Sequence, residues 1–146
     1  MCRLVVLFLL LGTATWPGAR EEPQPGPTAA RLKFAVIGDN GTGDQAEYDV
    51  GRQMTAARTT FPFEFVIMLG DNLYGSQNLA DKFEQPLGAL IASGIQFYAA
   101  LGNHDDPKNR SYRGWNMDGE RYCTYVKRNV RFFVLDTDEE DLWPTA

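Results

Sequence analysis

The sequence predicts an α/β domain built on a parallel sheet, and three observations predict it. Short apolar runs rich in β-forming residues at 32–37 (LKFAVI), 65–69 (FVIML) and 97–101 (FYAAL) each stop at a glycine followed by a polar residue. The stretches between them carry helical periodicity. The stops are evenly spaced: Asp39 to Asp71 and Asp71 to Asn103 each cover 32 positions (71 − 39 and 103 − 71), about one strand, helix, strand step. Near-continuous apolar strands joined by helical crossovers imply parallel strands covered on both faces.

In chain order, the first segment is a leader. Arg3 supplies a small positive region, residues 4–11 (LVVLFLLL) an apolar stretch, and Gly12, Thr13, Ala14, Gly18 and Ala19 the small residues of a cleavage site. A signal peptide over residues 1–19 is expected, cut after Ala14 or Ala19. The run is too short to cross a bilayer, which takes about 20 apolar residues. The mature chain is therefore expected to be secreted or periplasmic, with no membrane association after cleavage. Residues 21–28 (EEPQPGPT) are polar and proline-rich, so residues 20–30 read as a linker and 31–146 as the folded part.

After the first strand, Asp44 with Glu47 three residues later makes a capping-box-like helix start, and Ala46, Val50, Met54 and Ala57 fall on one face. The second connection, residues 78–94, spaces Phe83, Leu87, Leu90 and Ile91 similarly, with Pro86 breaking or kinking it. Residues 107–117 (PKNRSYRGWNM) read as a polar loop over the sheet's edge. Residues 121–126 (RYCTYV) and 130–135 (VRFFVL) read as a β-hairpin, with Cys123 a buried thiol.

Composition bounds the partners. A 44% hydrophobic and 23% charged chain supports one folded core and excludes a disordered or fibrous class. Lys and Arg total 14 against 19 Asp and Glu, giving a net charge of −5 with no basic face, which argues against nucleic acid. Two cysteines, one of them Cys2 in the leader, cannot form a disulfide framework.

Right-handed crossovers bring every strand back in one direction, so all three glycine-polar pairs emerge at the carboxyl edge, where ligand sites form in open α/β sheets. Asp39, Asp71, Asn103 and His104 converge there, with Tyr74 a short reach beyond. Two carboxylates about 4 Å apart repel by about 4 kcal/mol at an effective dielectric near 20, a cost that a cation turns into attraction. Oxygen donors suit hard ions, imidazole suits Fe, Zn or Mn, and a bridging carboxylate gives the two-metal arrangement used for in-line attack at phosphorus. A phenol with an ordinary pKa of about 10 ligates as phenolate only beside a strongly acidic ion, so Tyr74 favours Fe(III). Taken singly, Asp39 and Asp71 read equally as turn formers or caps. Asn40 and Asn72 read as turn residues, Asp44 as a helix cap, and residues 138–141 (DEED) as a solvated face; Asp136 has no ligand role in the pattern.

Gly38-Asp39-Asn40-Gly41, Gly70-Asp71-Asn72-Leu73-Tyr74 and Gly102-Asn103-His104-Asp105 resemble the ordered signatures GDxG, GDxxY and GNH(D/E) of the purple acid phosphatases, a group within the calcineurin-like metallophosphoesterases. The resemblance runs from about Leu32 to Thr137 and implies that family's sandwich of β-sheets flanked by helices. It implies a binuclear centre of Fe(III) with Fe(II), Zn(II) or Mn(II), in which Asp39 and Tyr74 bind the ferric ion, Asp71 bridges and Asn103 binds the divalent ion. His104 then sits beside the phosphate and helps protonate the leaving alcohol, with Asp105 a possible partner for its imidazole. The implied activity is hydrolysis of phosphate monoesters; a phosphodiesterase, a protein phosphatase and a non-catalytic phosphate- or partner-binding module are the alternatives. Arg110, Arg113 and Trp115 either meet the phosphoester or pack, and packing is the simpler expectation.

The family completes its metal shell with histidines from two later motifs, VxxH and GHxH, whereas this chain has one histidine in total. The expectation is an amino-terminal portion whose carboxyl-terminal half is absent. Its divalent site then keeps only Asp71 and Asn103, and the chain alone is inactive.

Overall fold

The computed structural model describes residues 31–136; the expected signal segment, the linker and the acidic run 138–141 lie outside the described residues. Equal spacing in sequence becomes equal register in space. The strands β1 (Phe34–Ile37), β2 (Phe65–Met68) and β3 (Gln96–Ala99) are parallel and lie in the order β1-β2-β3. Phe34 stands opposite Phe65 and Phe65 opposite Gln96, and at the far end Ile37, Met68 and Ala99 align. All three chain reversals therefore leave the sheet at one level.

The strands alternate their faces as the pleat requires. Ala35, Ile37, Val66, Met68, Phe97 and Ala99 belong to the main core, together with Phe83, Leu87 and Leu90 from the second connection. The opposite positions carry rings. Phe65 is fully buried and sits edge-on to Tyr98 at 5.8 Å, Tyr125 at 6.2 Å and Phe132 at 5.6 Å, while Tyr98 stacks on Tyr125 at 3.9 Å. Such pairs contribute about 0.5–1.5 kcal/mol each beyond their buried area. Tyr125 and Phe132 come from the antiparallel hairpin of β4 (Cys123–Lys127) and β5 (Val130–Val134). The second face is covered over Phe65 and Tyr98 by this aromatic hairpin and not by a helix, while Val36 of β1 stays 49% exposed on it.

Helix α1 (Gln45–Ala57) starts as expected, with the Asp44 carboxylate accepting from the Glu47 N–H at 3.1 Å. Its buried face differs from the expected one. Glu47 and Gly51 are buried and Met54 is half-buried, whereas Val50 is 46% exposed and Ala46 and Ala57 lie outside. The reason is close approach: a Cβ at Gly51 would overlap the Pro86 carbonyl, so the helix turns its glycine toward the second connection. Pro86 interrupts that connection as predicted, separating a π-helical turn (Ala80–Glu84) from the short helix α2 (Gly88–Ala92).

Residues 107–117 depart from a polar loop over the edge. Two 3-10 turns, Pro107–Ser111 and Arg113–Trp115, carry Trp115 and Met117 into the core, both almost fully buried. Trp115 meets Phe83 at 6.0 Å and Tyr112 at 5.8 Å, so packing is its role. The Arg110 Nε donates to the Pro107 carbonyl at 2.8 Å. Cys123 is half-buried, and burial followed by the Asp118 charge pushes its thiol above the ordinary range. Among the described residues, no helix is long and apolar enough to cross a membrane.

Candidate metal centre

Immediately after β1 and β2 the chain turns in the same unusual way. Asp39 and Asp71 both sit at φ 51°, in the left-handed region that aspartate enters more readily than most residues. The Asp39 N–H donates to the Gly70 carbonyl at 3.2 Å, which ties the first turn to the second. The loops touch again where the Tyr74 N–H donates to the Gly41 carbonyl at 3.0 Å. Gly41 is at φ 74°, and a Cβ there would overlap the Asn72 carbonyl, so both the conformation and the contact demand glycine.

These turns bring the predicted side chains together. Asp39, Asp71 and Asn103 line one cleft of about 300 Å³ at the carboxyl edge of the sheet. The Tyr74 hydroxyl reaches the Asp39 Oδ1 at 2.8 Å and the Asp71 Oδ2 at 3.1 Å. The His104 N–H donates to the Asp71 Oδ1 at 3.2 Å, and its imidazole lies 4.6 Å from the Tyr74 ring, tilted by 39°. His104 and Asn103 are both exposed.

Asp105 is placed otherwise than as a partner for that imidazole. Its carboxylate is buried and turned inward. One oxygen accepts from the Asn72 N–H at 3.1 Å, the Asn72 Nδ2 at 2.9 Å and the Gly102 N–H at 2.9 Å; the other accepts from the Leu73 N–H at 2.9 Å. Buried backbone donors require acceptors, and three of them on the two loops meet here, so Asp105 binds backbone and not histidine. Burial pushes its carboxyl above the ordinary value while these donors pull the other way. Asn72 also donates to the Ala100 carbonyl at 2.7 Å, a structural role that extends the expected turn function.

The charge balance of the cluster defines what fits. A single hydroxyl proton serves two carboxylates, and among the described residues no Lys, Arg or His side chain forms an ion pair with either Asp39 or Asp71. The hydrogen bond to Asp39, followed by desolvation and the bond to Asp71, holds the Tyr74 phenol well above the ordinary tyrosine range. Three oxygen donors, two of them within hydrogen-bonding reach of the third and carrying an excess of negative charge, suit a hard cation. Among the described residues there is no group of three or more His, Cys, Asp or Glu arranged for a metal; Asp39 and Asp71 are joined here through the Tyr74 hydroxyl.

Two residues of the site were not anticipated. The Glu47 carboxylate is buried under the first loop, accepting from the Gly41 N–H at 3.0 Å and the Gly43 N–H at 2.6 Å in place of closing a capping box. Its sequence signal was a carboxylate one turn ahead of Gly51 on the same helix face. Gln77 bridges the second and third loops, and no spacing rule points to it.

Residues 32–145 match the calcineurin-like phosphoesterase family. The chain belongs to that family. It is 30% identical over 135 residues to tartrate-resistant acid phosphatase type 5 of Rattus norvegicus, a match covering 75% of this chain and 41% of that protein. It is 28% identical over 134 residues to purple acid phosphatase 7 of Arabidopsis thaliana, covering 87% of this chain and 39% of that protein. The chain thus spans about two fifths of the length of these curated relatives.

Proposed function

We propose that the chain carries the ferric half and the bridging carboxylate of a binuclear phosphoester hydrolase of acid phosphatase type. The observation that carries the reading is the Tyr74 hydroxyl seated between the carboxylates of Asp39 and Asp71, at 2.8 and 3.1 Å. Family membership and the names of both relatives support it.

In this reading Asp39 and Tyr74 would hold Fe(III), Asp71 would serve both ions, and Asn103 would hold Fe(II), Zn(II) or Mn(II). The ions, when bound, supply Lewis-acid polarisation of the phosphoryl oxygens. His104, exposed at the rim beside Tyr74, hydrogen-bonds the phosphate of a monoester and hands a proton to the departing alcohol. Tyr74 would bind the ferric ion as its phenolate. With only Asp71 and Asn103 facing the divalent ion, turnover by this chain alone is expected to be very low. The secretory leader over residues 1–19, the linker over 20–30 and the phosphoesterase part from residue 31 onward belong to the same proposal. Amino-terminal sequencing of protein recovered from culture medium tests the leader, with a start after Ala14 or Ala19 expected.

The metal assignment is tested by titrating the chain with ferric nitrilotriacetate and recording the visible spectrum. A phenolate-to-Fe(III) charge-transfer band is expected in the wild type and its loss in Tyr74→Phe. A wild-type chain with no such band overturns the assignment.

A further inference from the structure

We propose that Gln77 is a positioning residue for His104, holding the imidazole against the Tyr74 ring at the rim of the cleft. The proposal rests on the reading of His104 as the group beside the phosphate. The imidazole has no hydrogen-bond partner among the described residues, and Asp105 next to it points inward. Its place is therefore set by its own backbone and by the ring beneath it.

That backbone is held at two points. The His104 N–H meets the Asp71 Oδ1 at 3.2 Å, and the His104 carbonyl accepts from the Gln77 Nε2 at 3.1 Å. The Gln77 Oε1 accepts from the Asp106 N–H at 3.1 Å and from the Asn109 Nδ2 at 2.6 Å, while its Nε2 also faces the Gly75 carbonyl at 3.4 Å. Two donor hydrogens and two acceptor lone pairs are all engaged, the full capacity of a primary amide. By pairing with the carbonyl of residue 104 and the N–H of residue 106, the side chain reproduces the pairing of a neighbouring strand across Asp105. Gln77 lies three residues beyond Tyr74, so one loop supplies both the ring under the imidazole and the tether that keeps it there. A proton donor must stay within hydrogen-bond reach of the leaving oxygen, and small misplacements are expensive in rate. A tether of this kind has a clear use in the proposed reaction.

The test exploits the single histidine of the chain, which gives one set of imidazole proton resonances. Spectra are recorded on the full chain without metal, in one buffer at one fixed pH for every variant, so that the variants differ only in the substituted side chain. In the wild type the Tyr74 ring current displaces these resonances upfield, and Tyr74→Leu supplies the unstacked reference. Gln77→Ala is expected to move them most of the way to that reference. Gln77→Glu keeps the acceptor contacts to Asp106 and Asn109 but sets an oxygen against the His104 carbonyl, and it is expected to do the same. Because it preserves half of the tether, it also serves if the alanine variant folds poorly. Thermal melts establish that the variants are folded. Folded variants whose imidazole resonances stay at the wild-type position overturn the proposal, even if they are less stable. The ferric titration reports on the metal assignment separately, so a missing visible band with a normal Gln77 result leaves the tether standing and refutes only the metal.

Discussion

Asp105 is the acceptor that joins the second and third loops, and removing it should be costly in a graded way. Asp105→Asn keeps one carbonyl oxygen, which can serve the Asn72 and Gly102 donors, but turns an amide toward the Leu73 N–H. One buried donor left facing another costs about 1–3 kcal/mol, part of which is offset because a charge is no longer buried, for a net loss of about 1–2 kcal/mol. Asp105→Ala removes the acceptor from three backbone N–H groups at once. At about 1–3 kcal/mol each, reduced by water entering the vacated space, the expected loss is about 3–5 kcal/mol. That corresponds to a Tm lowered by about 10–20 °C. Urea unfolding of the full chain, followed by far-ultraviolet dichroism and by tryptophan fluorescence, to which the buried Trp115 contributes, measures both. Amide exchange should accelerate at Asn72, Leu73 and Gly102 before it does in β2. An alanine variant within about 1 kcal/mol of wild type, or an asparagine variant as damaging as alanine, would refute the reasoning.

Other perturbations probe the same architecture. Burial pushes the Glu47 carboxyl above the ordinary glutamate range, against the pull of the Gly43 and Gly41 N–H groups. A pKa raised in the native state means that native protein holds the proton more tightly, so this contribution is full at low pH and declines as pH rises from about 4.3 upward. The stability of wild type relative to Glu47→Gln should therefore fall between pH 4.5 and 7 in urea titrations; a difference that widens in favour of wild type contradicts this. Gly41→Ala meets both a φ of 74° and the Asn72 carbonyl, and should cost more than the roughly 1 kcal/mol of a left-handed backbone alone, with loss of the ferric band. Phe65→Ala empties the centre of the aromatic layer and should cost about 3–5 kcal/mol in the same unfolding assay. On the proposed ferric assignment Tyr74 would ligate as phenolate from a phenol held above its ordinary pKa, so apparent Fe(III) affinity is expected to rise with pH in wild type and to lose that proton's share in Tyr74→Phe.

How much of this was legible depended on whether the governing interaction is local. The strand ends were legible because a glycine-aspartate pair after an apolar run is a local signal, and equal spacing carried it into a shared register from Phe34 to Gln96. The convergence of Asp39, Asp71 and Asn103 followed from topology alone. The buried face of α1 did not follow, because it is decided by how closely Gly51 approaches Pro86, residues separated in sequence by the whole of β2. Packing was the expected role of Trp115 and is its role, but the depth of its seat was not legible, because it depends on Phe83, far back in the chain, and not only on the nearby Tyr112.

Asp105 and Glu47 illustrate a more general point about sites built on turns. A turn sharp enough to expose Asp39 or Asp71 leaves backbone N–H groups of the same loop pointing into the protein, where water does not reach them. Each loop therefore recruits a buried carboxylate behind the exposed one: Glu47 behind the first, Asp105 behind the second and third. The outer carboxylates repel each other and want a cation; the inner ones are occupied by backbone and hold the repelling pair in place without one. Loss of an outer carboxylate should thus weaken metal binding and relieve repulsion, while loss of an inner one should weaken the loops first and metal binding only as a consequence. Comparing the unfolding free energy with the ferric titration for Asp71→Asn and Asp105→Asn separates the two layers, and equal changes in both quantities for both variants would show that no such division exists.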